Sequence, residues 1–237
     1  GRGLVAVTAA DRFAPGVLGK SVREWLPPQP VPGRDLVLAG LPPGHGSASL
    51  SLVNPGSTEA IAKVEVIGTR GTFSPEGLQP ISVPPGSVTS VPLDDVADGT
   101  PMAIRITSDN PVTGSIRITE SGDTAYATGV QALRDSTSFA LPQGSGRLVL
   151  SSLGTAGSVQ VAGYDARGRK VLTRTVKVAA GTSVGVKLRA GIRYVELVAD
   201  QATVVGGFSM TYKKGIAAAG IAPAIRSTRL PAVRPGW

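Results

Sequence analysis

Cysteine is absent from this chain, and histidine occurs only once, at position 45. The lack of cysteine excludes disulfide bonds, thiolate nucleophiles and cysteine-ligated zinc. No stretch approaches 18 consecutive apolar residues, so the sequence predicts no helix that crosses a membrane. Aromatic residues make up 4 % of the chain, which is a poor supply for stacking platforms.

Glycine and proline are abundant, with 31 and 19 residues respectively in a chain of 237. Long helices tolerate these residues badly, whereas β-proteins use them at their turns. Hydrophobic residues account for 41 % and charged residues for 17 % of the chain, as in ordinary globular domains. This composition predicts a β-rich protein with a buried core.

An internal repeat is the strongest signal in the sequence. The stretch ISVPPGSVTSVPL (81–93) aligns without gaps on VKVAAGTSVGVKL (176–188). Further along, AIRITSDNPVTGSIRIT matches YVELVADQATVVGGFSMT with one inserted residue, which places Gly114 opposite Gly206. The two halves of the chain are therefore predicted to share one fold.

Apolar residues alternate with polar or small ones within each unit, as at Leu50 and Leu52 or Ile104 and Ile106. Turn signals, including SDNP from Ser108, recur about every ten residues. About seven short strands in each unit are typical of an immunoglobulin-like sandwich. The predicted fold is all-β: two tandem immunoglobulin-like β-sandwiches related by an internal repeat, with a partial upstream repeat at the N-terminus.

Each predicted unit begins with an LPxGxG motif, which gives the expected domain boundaries. Residues 1–40 form a partial upstream repeat and linker, 41–136 the first sandwich, and 137–237 the second, basic sandwich with a C-terminal tail. The stretch GLVAVT (3–8) resembles a late strand of each unit, so we expect a strand there whose natural neighbours precede the chain.

Three short motifs resemble functional sites but lack the required context. The stretch GTSVG (181–185) matches a nucleophile elbow, yet Ser183 lies in a predicted hairpin and the only histidine precedes it. The stretch APGVLGKS (14–21) resembles a phosphate-binding loop, but nearby prolines stop the helix that such a loop needs. The acidic turn LDDVADG (93–99) departs from calcium-loop spacing, although calcium remains an alternative. We therefore expect no catalytic residue, metal or cofactor, and no enzyme activity.

A carbohydrate site remains open as an alternative. A glycosidase needs two carboxylates that face each other across a cleft, whereas the acidic residues here are mostly predicted in turns or on outward strand positions. The aromatic residues that could bind a sugar are Trp25, Tyr126, Tyr164, Tyr212 and Trp237.

The net charge of +8 is concentrated in the second half of the chain, where residues 147–237 hold 14 Lys and Arg against 3 Asp and Glu. Candidate binding residues lie on two predicted hairpin tips: Arg167, Arg169, Lys170, Lys213 and Lys214. Such tips can attract an anionic polymer. They can equally keep sheet edges unpaired. Nucleic acid is not expected, because no aromatic residues interleave with the charges.

The succession of LVNPGSTEAIAKVEVIG, GTFSPEGLQPISVPPGSVTSVPL, AIRITSDNPVTGSIRI and LPAVRP resembles an uncharacterised family of actinobacterial proteins, a domain of unknown function. The resemblance implies an extracytoplasmic location, a membrane anchor or signal outside this chain, and genes near membrane glycosyltransferases. It implies no catalytic residues.

We therefore expect a non-enzymatic scaffold or protein-interaction module of the cell envelope, whose partner is an envelope protein such as a membrane glycosyltransferase. The alternative is a module that binds an anionic envelope polymer or glycan through the basic second sandwich. Membrane attachment is expected only through the anchor.

Overall fold

The computed structural model describes residues 9–13, 22–26, 29–41, 47–76, 78, 80–93, 96, 99–133, 135–200 and 203–223, and β-strand is the regular secondary structure in these ranges. The first ten strands are β1 (Ala9–Phe13), β2 (Val22–Leu26), β3 (Gly33–Ala39), β4 (Ser47–Asn54), β5 (Ala60–Ile67), β6 (Thr72–Phe73), β7 (Ile81–Val83), β8 (Ser87–Pro92), β9 (Ala103–Glu120) and β10 (Asp123–Val130). The next eight are β11 (Ser136–Ala140), β12 (Ser145–Ser152), β13 (Gly157–Tyr164), β14 (Lys170–Val178), β15 (Ser183–Leu188), β16 (Tyr194–Asp200), β17 (Val204–Tyr212) and β18 (Gly215–Gly220). The described residues include no helix long and apolar enough to cross a membrane.

Strands β3 to β10 form the first sandwich. One layer contains β3, the first part of β9, β5, β6 and β7, and the other contains β8, β4, the second part of β9 and β10. Strand β3 belongs to this sandwich because Leu36 and Leu38 pack into its core. The boundary expected from the sequence instead placed β3 in the upstream segment.

The SDNP stretch, predicted as a turn, lies inside the continuous strand β9. Before this stretch β9 pairs with β3 and β5, and after it β9 pairs with β4 and β10. Asp109 Oδ1 accepts a hydrogen bond from the Ile61 N–H at 2.7 Å, and the Asn110 amide donates to the Glu59 carbonyl at 2.7 Å. These two hydrogen bonds fix β9 at the point where its strand partners change from β3 and β5 to β4 and β10. The turn signal thus marks the change from one layer to the other.

Strands β11 to β18 form the second sandwich, with sheet orders β11-β16-β13-β14 and β15-β12-β17-β18. The first sandwich repeats this arrangement with β3, β9, β5 and β7 in one layer and β8, β4, β9 and β10 in the other. Gly114 pairs with Leu52 of β4, and Gly206 pairs with Leu150 of β12. The all-β fold and its internal repeat are confirmed.

At the N-terminus, β1 and β2 pair as an antiparallel hairpin. The strand predicted at 3–8 lies outside the described residues.

Each sandwich has its own apolar core. In the first, Leu50, Leu52 and Ile104 are fully buried. In the second, the rings of Phe139 and Phe208 stack with centroids 5.2 Å apart and planes 7° apart. Two separate cores are what two tandem sandwiches require.

A third apolar cluster joins the two sandwiches. It lies on the outward faces of strands β3, β5, β9 and β17, and its members are at most 4 % exposed: Val37, Ala39, Ile67, Ala103 and Val205. These strands therefore carry buried apolar side chains on both faces, as strands in the middle of stacked sheets do. The sandwiches pack sheet against sheet.

Small residues and hydrogen bonds bring the two sheets into close contact. A side chain at Gly207 would collide with the backbone of Ala39 and Gly40, so β17 and β3 lie in direct contact. Ser183 donates its hydroxyl to the Ile67 carbonyl at 2.6 Å and its N–H to the Gly68 carbonyl at 2.8 Å. The two sandwiches are joined by both apolar contact and hydrogen bonds.

Candidate interaction surface

The serine of the nucleophile-elbow match has a structural role. Ser183 is 2 % exposed, and its hydroxyl is bonded to the Ile67 carbonyl and lies 2.7 Å from Ser151 Oγ. It is therefore shielded from any substrate by the opposite sandwich.

The other two matches fall largely on residues outside the described ranges, including 14–21 and the aspartates of the acidic turn at 94, 95 and 98. Among the described residues, no group of three or more His, Asp or Glu side chains could together hold a metal ion.

The two cationic hairpin tips lie at the same end of the second sandwich. Strand β17 ends beside the start of β12, since Thr211 pairs with Ser145. Strand β13 ends at Tyr164, which pairs with Tyr194, and Tyr194 pairs with the last residue of β11. Because only four residues separate β11 from β12, the β13–β14 and β17–β18 turns face the same way. We call this region the basic end: Arg167, Arg169, Lys170, Arg189, Arg193, Lys213 and Lys214.

The β13–β14 turn is organised by Asp165. Its Oδ1 accepts the N–H groups of Arg167 at 2.9 Å and Arg169 at 3.0 Å, while Oδ2 pairs with the Arg169 guanidinium at 2.7 and 2.8 Å. The hydrogen bond from the Arg169 backbone, with the other N–H donors and the guanidinium, lowers the pKa of Asp165 below its ordinary value. Arg169 is therefore neutralised locally, whereas Arg167 forms no ion pair with a described residue.

Tyrosine rings accompany two of the lysines. Lys170 Nζ lies 5.6 Å from the centre of the Tyr164 ring, and Lys213 Nζ lies 5.4 Å from that of Tyr212. An ammonium over a ring face is attracted by the ring quadrupole. Lys213 also adopts a positive φ of 54° in the tight β17–β18 turn, which leaves Lys213 and Lys214 exposed. All five predicted cations thus meet at one end.

The structure adds residues that the sequence had not singled out. Tyr194 is 51 % exposed and lies beside Tyr164, whose hydroxyl donates to Glu196 Oε2 at 2.9 Å. Arg189 and Arg193 come from the turn between β15 and β16. The stretch RAGIRY (189–194) indicates this turn in the sequence. That the turn lies close to the two hairpin tips follows only from the fold.

Of the aromatic carbohydrate candidates, Tyr126 is 8 % exposed and so unavailable for stacking. Tyr164 and Tyr212 lie at the basic end. The side chain of Trp25 and the whole of Trp237 lie outside the described part of the chain.

Charges at the basic end are poorly balanced. Among the described residues of the second sandwich, Asp165 is bonded to Arg169, Glu196 accepts the Tyr164 hydroxyl and keeps its negative charge, and Asp200 lies at the far end of β16. The first sandwich adds carboxylates nearby, because Asp123 accepts the Ile216 N–H at 2.8 Å beside the β17–β18 turn and pairs with Glu120. The surface therefore combines excess positive charge with exposed tyrosines.

No relative is found among the curated proteins. Among solved structures, the pilus backbone RrgB of Streptococcus pneumoniae is similar at 12 % identity and a TM-score of 0.23, over 78 % of this chain and 46 % of that chain. The present chain thus spans less than half of that structure. Residues 18–189 match the family of unknown function DUF5719, and because this match covers most of the sequence, the chain belongs to that family.

Proposed function

We propose that this protein is a non-enzymatic interaction module of the actinobacterial cell envelope, located outside the cytoplasm. In this proposal the second sandwich binds an envelope protein, such as a membrane glycosyltransferase, and the first sandwich supports it. The observation that carries the proposal is the basic end, where seven Lys and Arg residues converge and one ion pair with a described residue, Arg169–Asp165, is formed.

The residue types at the basic end favour a protein partner. Tyr194 and Tyr212 are 51 % and 45 % exposed, and they lie among arginines and lysines. Tyrosine and arginine are enriched in protein interfaces, and they contribute much of the binding energy there. Positive charge also accelerates association with an acidic partner.

A second candidate is an anionic envelope polymer. The exposed side chains of Arg167, Lys213 and Lys214 are available to phosphate or carboxylate groups, since none forms an ion pair with a described residue. Binding of this kind depends mainly on charge, and it weakens as salt screens the charges.

Co-sedimentation with envelope fractions tests the proposal. The wild-type protein is mixed with intact fractions and with protease-treated fractions, at low and moderate salt. We expect binding to intact fractions and loss of binding after protease treatment. Binding that survives protease but fades with salt supports the polymer instead, and no binding at any salt contradicts both.

The contact surface is tested with a double charge reversal, Arg167→Glu with Lys213→Glu. Its matched control is Arg70→Glu with Lys63→Glu, which makes the same charge change on exposed residues of the first sandwich. We expect the first variant to lose binding and the control to keep it. Equal loss in both variants would show that overall charge, rather than the basic end, attracts the envelope.

A further inference from the structure

A groove lies beside the basic end, where the two sheets of the second sandwich separate along β14 and β15. Its volume is about 540 Å³. The floor is apolar and contains Leu172, Val186 and Ile192, and the rim carries the cations Arg174, Lys187 and Arg189. We call it the edge groove.

Both strands that border the edge groove are the last strands of their sheets. The outer backbone groups of β14 and β15 therefore have no strand partner among the described residues. Strand β14 has nine residues without proline, and its Val171 is 54 % exposed. A long, exposed edge of this kind is a template for an additional strand.

The first sandwich protects the equivalent edge. Its counterpart of β14 is divided into β6, which has two residues, and β7, which has three, and the segment between them contains Pro75 and Pro80. Proline lacks the N–H group that strand pairing requires. The open edge is therefore a specific property of the second sandwich rather than of the repeated fold.

The charges on the rim determine which kind of ligand the edge groove can bind. Arg174, Lys187 and Arg189 are exposed and form no ion pair with a described residue. Asp165 also lines the groove, but its carboxylate is bonded to Arg169. A strand with carboxylate side chains complements this rim, whereas a second copy of the basic β14 edge is repelled by it.

We infer that the edge groove binds an extended acidic peptide segment of the partner protein as an added strand along β14. Leu172 and Arg174 are two residues apart on one face of β14, so an apolar side chain of the peptide packs on Leu172, above the buried Val186 and Ile192, and a carboxylate two residues along the peptide faces Arg174. Backbone hydrogen bonds supply affinity and the alternating side chains supply specificity, as in other complexes formed by strand addition. The inference rests on the proposed protein-interaction function and names the partner's chemistry. A polymer without apolar groups would leave the floor unused.

Synthetic peptides provide the test. The probes are a panel of fluorescein-labelled peptides of nine residues, the length of β14, in which every second residue faces the groove and is by turns glutamate and valine, leucine or isoleucine, with threonine at the positions between. The controls are scrambled peptides, peptides with lysine in place of glutamate, polyglutamate, and peptides methylated on alternate backbone nitrogens. Fluorescence anisotropy gives affinities, and ¹⁵N chemical shifts locate the binding site.

The protein variants are Arg174→Glu, on the rim, and Lys177→Glu, an exposed residue of the same strand that does not line the groove. We expect about tenfold weaker binding to Arg174→Glu and nearly unchanged binding to Lys177→Glu, because only the first change places like charges together. We also expect backbone methylation to abolish binding, and the shifts to map to β14 and β15.

Three results would overturn the inference: no peptide of the panel binds below about 1 mM, polyglutamate binds as well as the alternating peptides, or both variants lose affinity equally. If Arg174→Glu still co-sediments with intact envelope fractions while the peptides fail, the groove is rejected and the interaction function stands. If the wild-type protein fails to co-sediment, the function itself is rejected.

Discussion

Gly207 lies where the two sandwiches come closest, so the Gly207→Ala substitution tests their packing. An added methyl group would lie 2.5 Å from the carbonyl carbon of Ala39 and 2.7 Å from the Cα of Gly40. These are backbone atoms, which cannot rotate away as a side chain can. The sheets must therefore separate by about 1 Å to restore an ordinary contact of 3.4 Å or more.

The cost follows from what that separation disrupts. A gap of about 0.5–1 Å removes a quarter to a half of the dispersion energy of the atoms on either side. Overpacking in protein interiors typically costs about 1–3 kcal/mol. We expect Gly207→Ala to lie near the upper end, about 3 kcal/mol, because the whole cluster around Val205 is strained at once.

The neighbouring glycine supplies the matched control. A methyl group at Gly206 faces the core of the second sandwich and meets side-chain methyl groups of Ile221 at 3.1 Å and of Leu133 and Leu150 at 3.4 Å. These groups can shift, so Gly206→Ala should cost less than about 1 kcal/mol. Both substitutions restrict the unfolded chain alike, so that effect cancels in the comparison.

Urea unfolding followed by circular dichroism measures the difference in unfolding free energy between the variants. Hydrogen exchange of the Ser183 amide, which donates to Gly68 across the interface, reports the local separation. We expect faster exchange in Gly207→Ala only. Equal stabilities and equal exchange in the two variants would refute the sheet-against-sheet packing.

Three further predictions follow from single side chains. Ser183→Ala leaves the buried Ile67 carbonyl without its hydroxyl donor and should lower the unfolding free energy by about 1–3 kcal/mol, measured in urea; an unchanged value would show that this bond contributes nothing. Phe208→Ala removes the ring stacked on Phe139 and should cost about 3–5 kcal/mol, seen as a lower thermal midpoint; a loss below about 1 kcal/mol would contradict the packed core. The pKa of Asp165 should lie below 3.8 in an NMR titration, because N–H donors and the Arg169 guanidinium favour the carboxylate. Its contribution to stability is therefore present above pH 3.8 and is lost as the pH falls through the lowered pKa. The Asp165→Asn substitution should remove that part of the pH dependence of the unfolding free energy. An unshifted titration of Asp165 would contradict the turn geometry.

The repeat and the strand pattern were readable from the sequence because each strand carries its own local signal. Apolar residues at every second position, as at Leu50 and Leu52, indicate a strand with one buried face. The equivalence of Gly114 and Gly206, predicted from the repeat, is seen in the structure, where each glycine pairs with a leucine. The SDNP stretch was misread, since a change of sheet and a reversal of direction use the same residue types.

The interface between the sandwiches was not predicted, although a signal was present. Residues 36–39 and 204–208 have few polar positions, and strands that are apolar on both faces are buried on both. Which second surface covers such a strand depends on long-range packing, and the local pattern does not contain that information.

The candidate site was likewise predictable from the sequence only in part. Cationic tips could be located from turn signals, but their convergence with Arg189 and Tyr194 follows from strand order. The edge groove depends on the absence of a neighbour beside β14, and a local sequence pattern does not reveal which strand is last in its sheet.

Site-specific photo-cross-linking tests the central claim, that the second sandwich contacts the partner, most directly. A benzophenone amino acid replaces Tyr212 at the basic end, or Phe73 of the first sandwich, which is similarly exposed at 53 % compared with 45 % for Tyr212. Irradiation in the presence of intact envelope fractions should yield protein adducts from position 212 and none from position 73. Equal adducts from both positions, or adducts from position 73 alone, would contradict the account.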